Sequence, residues 1–328
     1  MTAHFAAQTA FTPADEQPLQ AESAGDFKSE TFNQWVYDPV ADLGLNIWLA
    51  SGENGGMQFP NFMSTVIAFW GGEKYTAMRG VGTGNYENGL AAGNCFLTME
   101  EPFRRWRVDF LGLLEQESTG AQHLSRMALT IEITSPPIEQ GTQGDRGEVA
   151  SSGTRPRHAI RYEQLCRITG RVEIGNRVAD LAAYGMRSHR RNSVSIYESG
   201  AVGHTWATAL FPSGQGFHLL SYQVEPEGKV GFLYGHYFDG QAYHEAQVRR
   251  FPYFTGSTGA ETARLEMRLG DRTLDVLVES WPPLAGSAPS GLRLTRAAAR
   301  FTLDGEVGGG VLERSLFAPF AAGGEYIA

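Results

Sequence analysis

The hydrophobic and polar positions of the chain alternate in short segments, which is the pattern of half-buried β-strands. The apolar runs at 43–51 (LGLNIWLAS), 64–72 (STVIAFWGG) and 93–100 (GNCFLTME) are each bounded by Gly, Asn or Asp. The runs at 106–114 (WRVDFLGLL) and 129–136 (LTIEITSP) continue the series. Positions that repeat at the helical period are scarce, and 40 glycines suit many tight turns. The chain is therefore predicted to be all-β.

Polar segments indicate how the strands are grouped into domains. Residues 1–28 are polar and are predicted to be a flexible N-terminal arm. Residues 136–157 (PPIEQGTQGDRGEVASSGTRPR) have no periodicity and are rich in Pro, Gly, Ser and charge. We therefore expect a linker at about 141–155 between two antiparallel β-barrels or sandwiches in tandem, an N-terminal one at 29–140 and a C-terminal one at 156–328.

Composition and charge narrow the classes of partner and compartment. The net charge of −9 and the pI near 5.4 disfavour nucleic acid and anionic membranes as the main partner. No apolar run approaches a membrane span, and the first residues lack the pattern of a secretion signal, so a cytoplasmic location is expected. Cys95 and Cys166 lie in apolar strand-like runs and are predicted to be buried free thiols.

The motifs of several enzyme classes are absent from the sequence. The glycines of residues 80–89 (GVGTGNYENG) do not have the spacing of a dinucleotide-binding loop, and neither a P-loop nor a G-x-S-x-G elbow occurs. Metal-ligand spacings are also missing, so no metal site is predicted. Nucleotide-driven chemistry and the common hydrolase mechanisms are therefore disfavoured.

Three neighbouring segments of the second half each place a histidine beside an aromatic side chain. Because side chains alternate along a strand, each pair shares one face of its strand. Such a face borders either a packed core or a ligand cavity, and both interpretations stay open at this point. A histidine metal site formed through the fold is a further alternative. The residues concerned are His204 with Trp206, His218 with Tyr222, and Tyr234 with His236.

Residues 185–194 (GMRSHRRNSV) gather cations in an acidic chain. His189 lies among Arg187, Arg190 and Arg191, and strand parity puts Arg187 and His189 on one face and Arg190 on the other. Arginines beside a histidine lower its pKa and keep it neutral, which suits a general base. They also bind carboxylates and oxyanions. The cluster is therefore either part of a reaction chamber or an ordinary polar turn.

The sequence around this cluster carries a distinctive pattern, formed by Tyr162, Glu163, Gln164, Gly170, Gly185, Arg187, His189 and Trp206. In this pattern it resembles the tandem lipocalin-like family that includes the carotenoid 1,2-hydratases and the AttH-like proteins. Residues 101–112 (EPFRRWRVDFLG) also resemble a run of the family. Two departures stand out: Ser188 lies where that family has Asp, and residues 190–192 (RRN), after His189, lie where it has Ser-Trp-Gly.

The resemblance implies two lipocalin-like barrels and an apolar cavity for an isoprenoid, steroid or polyketide-like molecule. Relatives of this kind are hydratases, dehydratases and cyclases that need no redox cofactor. Adding or removing water needs a proton donor and acceptor beside an apolar chain. We assign these roles to His189 and Glu163, with Arg187 beside them. The alternative is a structural ion pair between Arg187 and Glu163, with Arg190 and Arg191 facing solvent.

The sequence thus favours a cofactor-free lyase or isomerase acting on a small hydrophobic molecule, by hydration, dehydration or cyclisation. A non-catalytic carrier of a hydrophobic ligand is the alternative. The oligomeric state stays open. For the tryptophans of the first half, a packed core is favoured over a cavity wall. The expected substrate-binding residues are Tyr162, Trp206, His204, His218, Tyr222, Tyr234, His236, Trp48 and Trp70.

Overall fold

The computed structural model describes twelve stretches of the chain: 11–18, 29–54, 57–79, 82–86, 88–139, 160–192, 201–224, 230–253, 260–281, 284–287, 292–317 and 325–327. Within them the chain forms one short helix and otherwise strands, so the all-β prediction is confirmed. The helix is α1, Pro13–Glu16. No helix of the described stretches has the length and apolar character that crossing a bilayer requires.

The strands are numbered in chain order. They are β1 Ser29–Asp38, β2 Leu43–Asn54, β3 Met57–Trp70, β4 Glu73–Arg79, β5 Gly82–Tyr86, β6 Gly89–Ala92, β7 Cys95–Glu101, β8 Arg105–Gln116, β9 Gln122–Ile133, β10 Ile138–Glu139, β11 Ile160–Ile174 and β12 Arg177–Asn192. They continue as β13 Gly203–Leu210, β14 Gly216–Gln223, β15 Val230–Phe238, β16 Tyr243–Glu245, β17 Gln247–Pro252, β18 Glu261–Leu269, β19 Arg272–Ser280, β20 Leu284–Ser287, β21 Leu292–Leu303, β22 Glu306–Phe317 and β23 Glu325–Ile327.

The first sheet closes on itself as an eight-stranded antiparallel barrel. Its strands follow the order β1, β2, β3, β4, β8, β9, β11 and β12, and β12 pairs with β1 to close the ring. The inward positions of these strands are apolar and pack into one core. That core includes Phe32 of β1, Leu45 of β2, Val108 of β8 and Ile168 of β11, all fully buried. Closure of the ring leaves these strands without a free edge.

The second sheet forms a nearly closed barrel. Its order is β16, β15, β14, β13, β22, β21, β19, β18, β17 and β23, with β20 beside β21. A backbone bond of 2.9 Å from the Ala246 amide to the Gly235 carbonyl links the two sides of the opening. Its apolar core includes Ala207, Phe217 and Val276, all fully buried.

The division between the two units falls after β12, between residues 193 and 194, and not at the predicted linker of 141–155. The reason is that β11 and β12 complete the first barrel, although they follow the linker in sequence. The polar composition of 136–157 correctly indicates a break in the strand pattern, but composition does not tell which sheet the next strands join. The predicted linker itself lies outside the described residues.

Two further expectations concern the arm and the thiols. Within the predicted arm of residues 1–28, only 11–18 are described; these form α1, and Glu16 is fully buried. This segment thus differs from a loose arm, because its acidic side chain has partners inside the first barrel. Cys95 and Cys166 are buried free thiols, as predicted.

Candidate functional site

The hairpin of β11 and β12 fixes which candidate side chains share a face. Tyr162 lies opposite His189, and Gln164 lies opposite Arg187. All four point into the first barrel, since Cys166, two residues after Gln164 on β11, belongs to the apolar core. They lie toward the end of the barrel where β1 and β11 begin, and His189 pairs there with Phe32 of the apolar core.

A carboxylate from α1 enters this end of the barrel. Glu16 is fully buried, and the Trp106 indole nitrogen donates a hydrogen bond of 2.6 Å to its Oε1. An Arg187 guanidinium nitrogen donates to the same oxygen, and the Tyr162 hydroxyl donates to Oε2. Three donors from three strands therefore converge on one carboxylate that the barrel wall does not supply.

Arg187 keeps its charge although it is fully buried. Burial acts to lower its pKa, but the charge of Glu16 and the hydrogen bond to it outweigh burial and hold that pKa above its usual value. The guanidinium also donates a bond of 3.0 Å to Gln164 Oε1 and lies 5.0 Å from the centre of the Trp106 ring. Burial, followed by the charge of Glu16, raises the pKa of Tyr162, so its hydroxyl remains a proton donor.

His189 forms a second pair with a buried acid. Its Nε2 lies 2.9 Å from Glu30 Oε1, and Arg191 Nε donates to the same oxygen over 2.9 Å. Burial is the largest cause that lowers the pKa of His189, and Arg191 adds to it while Glu30 opposes it. Since a carboxylate only accepts, the neutral ring carries its proton on Nε2. Nδ1 is then the basic nitrogen and faces the Tyr162 hydroxyl at 3.3 Å, with Phe32 stacked 4.0 Å from the ring.

These groups form one polar network, which we call the barrel-end cluster: Glu16, Glu30, Trp106, Tyr162, Arg187, His189 and Arg191. Two carboxylates balance two guanidinium groups, and the acids, His189 and Arg187 are at most 1% exposed. Arg191 also donates to the Gln17 backbone carbonyl, next to α1. Such a network of buried hydrogen bonds and ion pairs can order the barrel end and hold protons in place. The His189 ring is fully buried within this cluster. Direct contact between His189 and a substrate is therefore not supported by this arrangement.

Glu163 lies on the other face of the sheet. It is opposite Ser188, and the same cross-strand row continues through Asn33 to Trp48. His189 and Glu163 therefore point to opposite sides of the barrel wall and cannot serve one substrate atom. The predicted alternative, an ion pair of Arg187 with Glu163, is also not observed, because Arg187 pairs with an acid of α1.

The two tryptophans of the first half occupy different environments. Trp70 belongs to the core of the first barrel, as the sequence favours, and the Arg177 guanidinium lies 4.3 Å from its ring centre. Trp48 is partly buried on the outer face, in the row of Glu163. The strands of both tryptophans belong to the first sheet, whereas the histidines of the second half belong to the second sheet.

Strand register brings the six candidates of the second half onto one face of the second sheet. Adjacent rows pair His204 with Tyr222, Trp206 with Leu220, and Thr208 with His218. This face is opposite to the core of the second barrel, which takes the alternate residues of β13 and β14, including Ala207 and Leu219. It is therefore an outer face and not the barrel lumen. We call it the aromatic–histidine face, formed by His204, Trp206, His218, Tyr222, Tyr234 and His236.

His204 is held in a chain of polar groups at one end of this face. The Ser315 hydroxyl lies 2.5 Å from its Nδ1, and its Nε2 lies 3.0 Å from Glu313 Oε1. Arg296 Nε approaches the other oxygen of Glu313 at 3.2 Å. Both ring nitrogens of His204 are thus engaged, so this histidine is well oriented within the sheet.

His236 stands at the other end of the face and is only partly buried. Burial, with a smaller contribution from His218, lowers its pKa to about 4, so the ring is neutral at physiological pH. Its Nδ1 has no hydrogen-bond partner among the described residues. The neighbouring His218 has Nε2 at 2.9 Å from the Tyr243 hydroxyl, and the Tyr234 ring lies 5.0 Å from that of His236.

Aromatic rings line the space between these two ends. Tyr222 stacks on Phe232 at 5.6 Å between ring centres, and Phe232 lies 5.9 Å from Tyr234. The indole nitrogen of Trp206 is buried and has no hydrogen-bond partner in the described stretches. The face therefore combines apolar ring surface with two buried polar atoms that have no hydrogen-bond partner among the described residues, Trp206 Nε1 and His236 Nδ1.

Two other features of the structure bear on ligands. In the described part of the chain, no three His, Cys, Asp or Glu side chains converge as a metal site requires. A groove of about 430 Å³ lies elsewhere on the second unit, and its lining is charged rather than apolar. Its residues are Arg249, Arg250, Glu266, Arg268, Asp271, Thr273 and Ile327.

Several site residues were not identified from the sequence. Glu16 had a detectable signal, since Thr12, Pro13 and Asp15 form a helix start in which Asp15 accepts from the Thr12 amide over 2.7 Å. That signal predicts a helix, but it does not reveal that the next residue enters a barrel. The other missed residues are Glu30, Trp106, Tyr243, Glu313 and Ser315, which are recognisable only once strand register is known.

Comparisons with known proteins agree with this architecture. The family model described as "Domain of unknown function (DUF7064)" matches residues 12–317. A crystal structure assigned to an AttH protein of Nitrosomonas europaea is 14% identical, with 96% of this chain and 98% of that chain covered and a TM-score of 0.62. Kievitone hydratase of Nectria haematococca is 10% identical, with 94% of each chain covered and a TM-score of 0.55.

A third structure, CghA with Sch210972, is 12% identical, with 94% of this chain and 96% of that chain covered and a TM-score of 0.54. The sequence matches no curated protein. At these identities the likeness shows the fold. The predicted resemblance to the AttH-like, tandem lipocalin-like proteins is thereby confirmed as a resemblance of fold.

Proposed function

The chain belongs to the family described as a domain of unknown function, DUF7064, and from the geometry of its second barrel we propose that it is a cofactor-free lyase or isomerase. Its substrate is a small hydrophobic molecule bound on the aromatic–histidine face. One observation carries the proposal: two polar atoms without described partners, His236 Nδ1 and Trp206 Nε1, lie among aromatic rings. The name of one structural neighbour, kievitone hydratase, agrees with such chemistry.

The groups around His236 suit addition or removal of water. In dehydration, His236 Nδ1 takes a proton from carbon while the Tyr243 hydroxyl protonates the leaving oxygen. The C–H and C–O bonds break, a C=C bond forms and water leaves. The His236 imidazolium then returns its proton to the Tyr243 oxygen. The two rings are 6.5 Å apart between centres, and His218 bonded to Tyr243 orients the phenol.

Two alternatives remain as competing proposals. A carrier would use the same face without chemistry, and the pKa of about 4 makes His236 a weak base, which favours this alternative. The catalytic assignment of His189, Glu163 and Arg187 stays a prediction, and a His189→Gln variant belongs in the assay. The cytoplasmic location expected from the sequence is part of the same proposal.

The test is mass spectrometry after incubation with a panel of terpenoid, steroid and polyketide alcohols and alkenes. We expect a product shifted by one water, or an isomer, whose formation falls about 100-fold or more in His236→Gln and Tyr243→Phe. The matched control is His244→Gln, an exposed histidine paired with Asp239 at 2.7 Å, and it keeps wild-type turnover. Turnover should be constant around neutral pH and fall only as the pH approaches about 4, where His236 becomes protonated.

The outcomes separate the alternatives. Loss of turnover in His189→Gln with an unchanged His236→Gln variant would contradict the assignment to the second barrel. Saturable binding without product, lost in a Trp206→Ala variant, would establish the carrier instead.

A further inference from the structure

The geometry points to a carboxylate-binding site in the first barrel, formed by Trp106, Tyr162 and Arg187. We propose that Glu16 fills this site as an intramolecular ligand, and that the site accepts a carboxylic acid with an aromatic or apolar tail when Glu16 withdraws. This inference concerns the first unit and does not rest on the function proposed for the second.

The donors of the site belong to the barrel wall and the acceptor does not. Trp106, Tyr162 and Arg187 come from β8, β11 and β12, and they are held in place by the sheet. Glu16 comes from α1, which precedes the first strand of the barrel. Buried donors that lose their acceptor are costly, so the wall requires an anion at this position.

Some of the Arg187 N–H groups have no hydrogen-bond acceptor among the described residues. Only one of its terminal nitrogens bonds to Glu16, while Nε and the other terminal nitrogen have no partner among the described residues. A guanidinium binds a carboxylate best through two parallel hydrogen bonds. A carboxylate that is not attached to α1 can approach in that forked geometry, which gives a free acid an advantage over Glu16.

The surroundings define the rest of the ligand. The Phe11 ring lies 4.9 Å from that of Tyr162, and Phe103 lies 5.6 Å from it on the barrel side. Residues 11–16 thus present an aromatic ring and a carboxylate to the same pocket. An arylalkyl carboxylic acid has the same two features, and we take phenylacetate as the probe.

The segment that carries Glu16 is weakly constrained by its own structure. The helix α1 has four residues, and a single helical turn has little stability outside its tertiary contacts. Those contacts include the Glu16 carboxylate, the Gln17 carbonyl with Arg191, and Phe11. Removal of the carboxylate therefore leaves the site open without altering the barrel wall.

The experiment is chemical rescue of a Glu16→Ala variant followed by thermal unfolding. Loss of the buried acid should lower the melting temperature by roughly 10 °C. Phenylacetate should restore it saturably, with a midpoint about tenfold or more below that of acetate, because its ring adds apolar contact. Phenylacetamide, which has no charge, should restore nothing. The control is Glu132→Ala, at an exposed strand position. This variant should keep the melting temperature of the wild type, and phenylacetate should not change it.

A second variant is used in case Glu16→Ala does not fold. Glu16→Gln keeps the shape of the side chain, and equilibrium dialysis with labelled phenylacetate should show one bound molecule in this variant. Adding Arg187→Met should abolish that binding. The proposal is overturned if no Glu16 variant binds phenylacetate, if binding survives Arg187→Met, or if phenylacetamide binds equally well.

Discussion

Cys95 and Cys166 show how burial sets the chemistry of single residues. Both side chains belong to the apolar core of the first barrel. Burial raises the pKa of each thiol to about 12, with Asp109 adding to the effect at Cys95 and Arg187 opposing it at Cys166. Since the thiolate is the reactive form, neither cysteine is a nucleophile in the folded protein.

A thiol-reactive reagent should therefore distinguish the folded from the unfolded chain. Because a thiolate is about a thousandfold scarcer at this raised pKa, we expect both cysteines to remain unmodified in the native protein. Both should react at the rate of a small thiol after denaturation, as counted by intact mass. Modification of either residue at that rate under native conditions would contradict the burial.

Strand parity predicts which residues of one strand share a face, but not which residues of the next strand lie opposite them. Parity correctly puts Arg187 and His189 on one face, but it does not tell which β11 residue lies opposite them. The two-residue turn at Gly175 and Asn176 fixes this, since Ile174 pairs with Arg177 and counting back puts Tyr162 opposite His189. The register was therefore predictable from the turn. The entry of Glu16 was not, because nothing local links an N-terminal acid to a strand so distant in sequence.

At the scale of elements, the seam between β1 and β12 depends on a close backbone approach. A Cβ atom on Gly185 would lie 1.9 Å from the Trp35 carbonyl oxygen and 2.7 Å from Val36 Cα. Both neighbours are backbone atoms of the paired strand and cannot rotate away. Gly185 is thus required where the two strands that close the barrel meet. The resemblance identified the position, and the register supplies its physical reason.

A methyl group at this seam should open the barrel. Gly185→Ala is expected to lower the free energy of unfolding by about 3 kcal/mol or more, since the backbone must shift. Urea denaturation measures the loss. Gly112→Ala is the matched control, because a Cβ there meets only side-chain atoms, the nearest at 3.0 Å. Equal losses in the two variants would mean that the seam tolerates the shift.

At the scale of the molecule, the chain divides where the first barrel is complete rather than where its composition changes. Local patterning predicted the strands and the all-β class, because alternation is a property of each strand. The partner of each strand is a long-range property, and the polar segment at 136–157 carries no information about it. For this reason β11 and β12 were assigned to the wrong side of the boundary.

Fragments of the chain should show the same division. A fragment of residues 11–193 contains all eight barrel strands and α1, and should unfold cooperatively in urea. A fragment of 29–140 lacks β11 and β12. It should not unfold cooperatively, because nothing covers the apolar inner face of its remaining strands. Circular dichroism during titration decides between them. Cooperative unfolding of the shorter fragment would contradict the closure described here.

The bond from Arg187 to Glu16 spans 171 residues of sequence, and this separation has a consequence for synthesis. A ribosome releases α1 and β1 long before it releases β12, so the nascent chain carries an open sheet edge and two acids without their arginines. The first barrel can close only after β12, which ends at Asn192, has been made. Until then, the N-terminal strands present unpaired backbone groups that can pair with another chain.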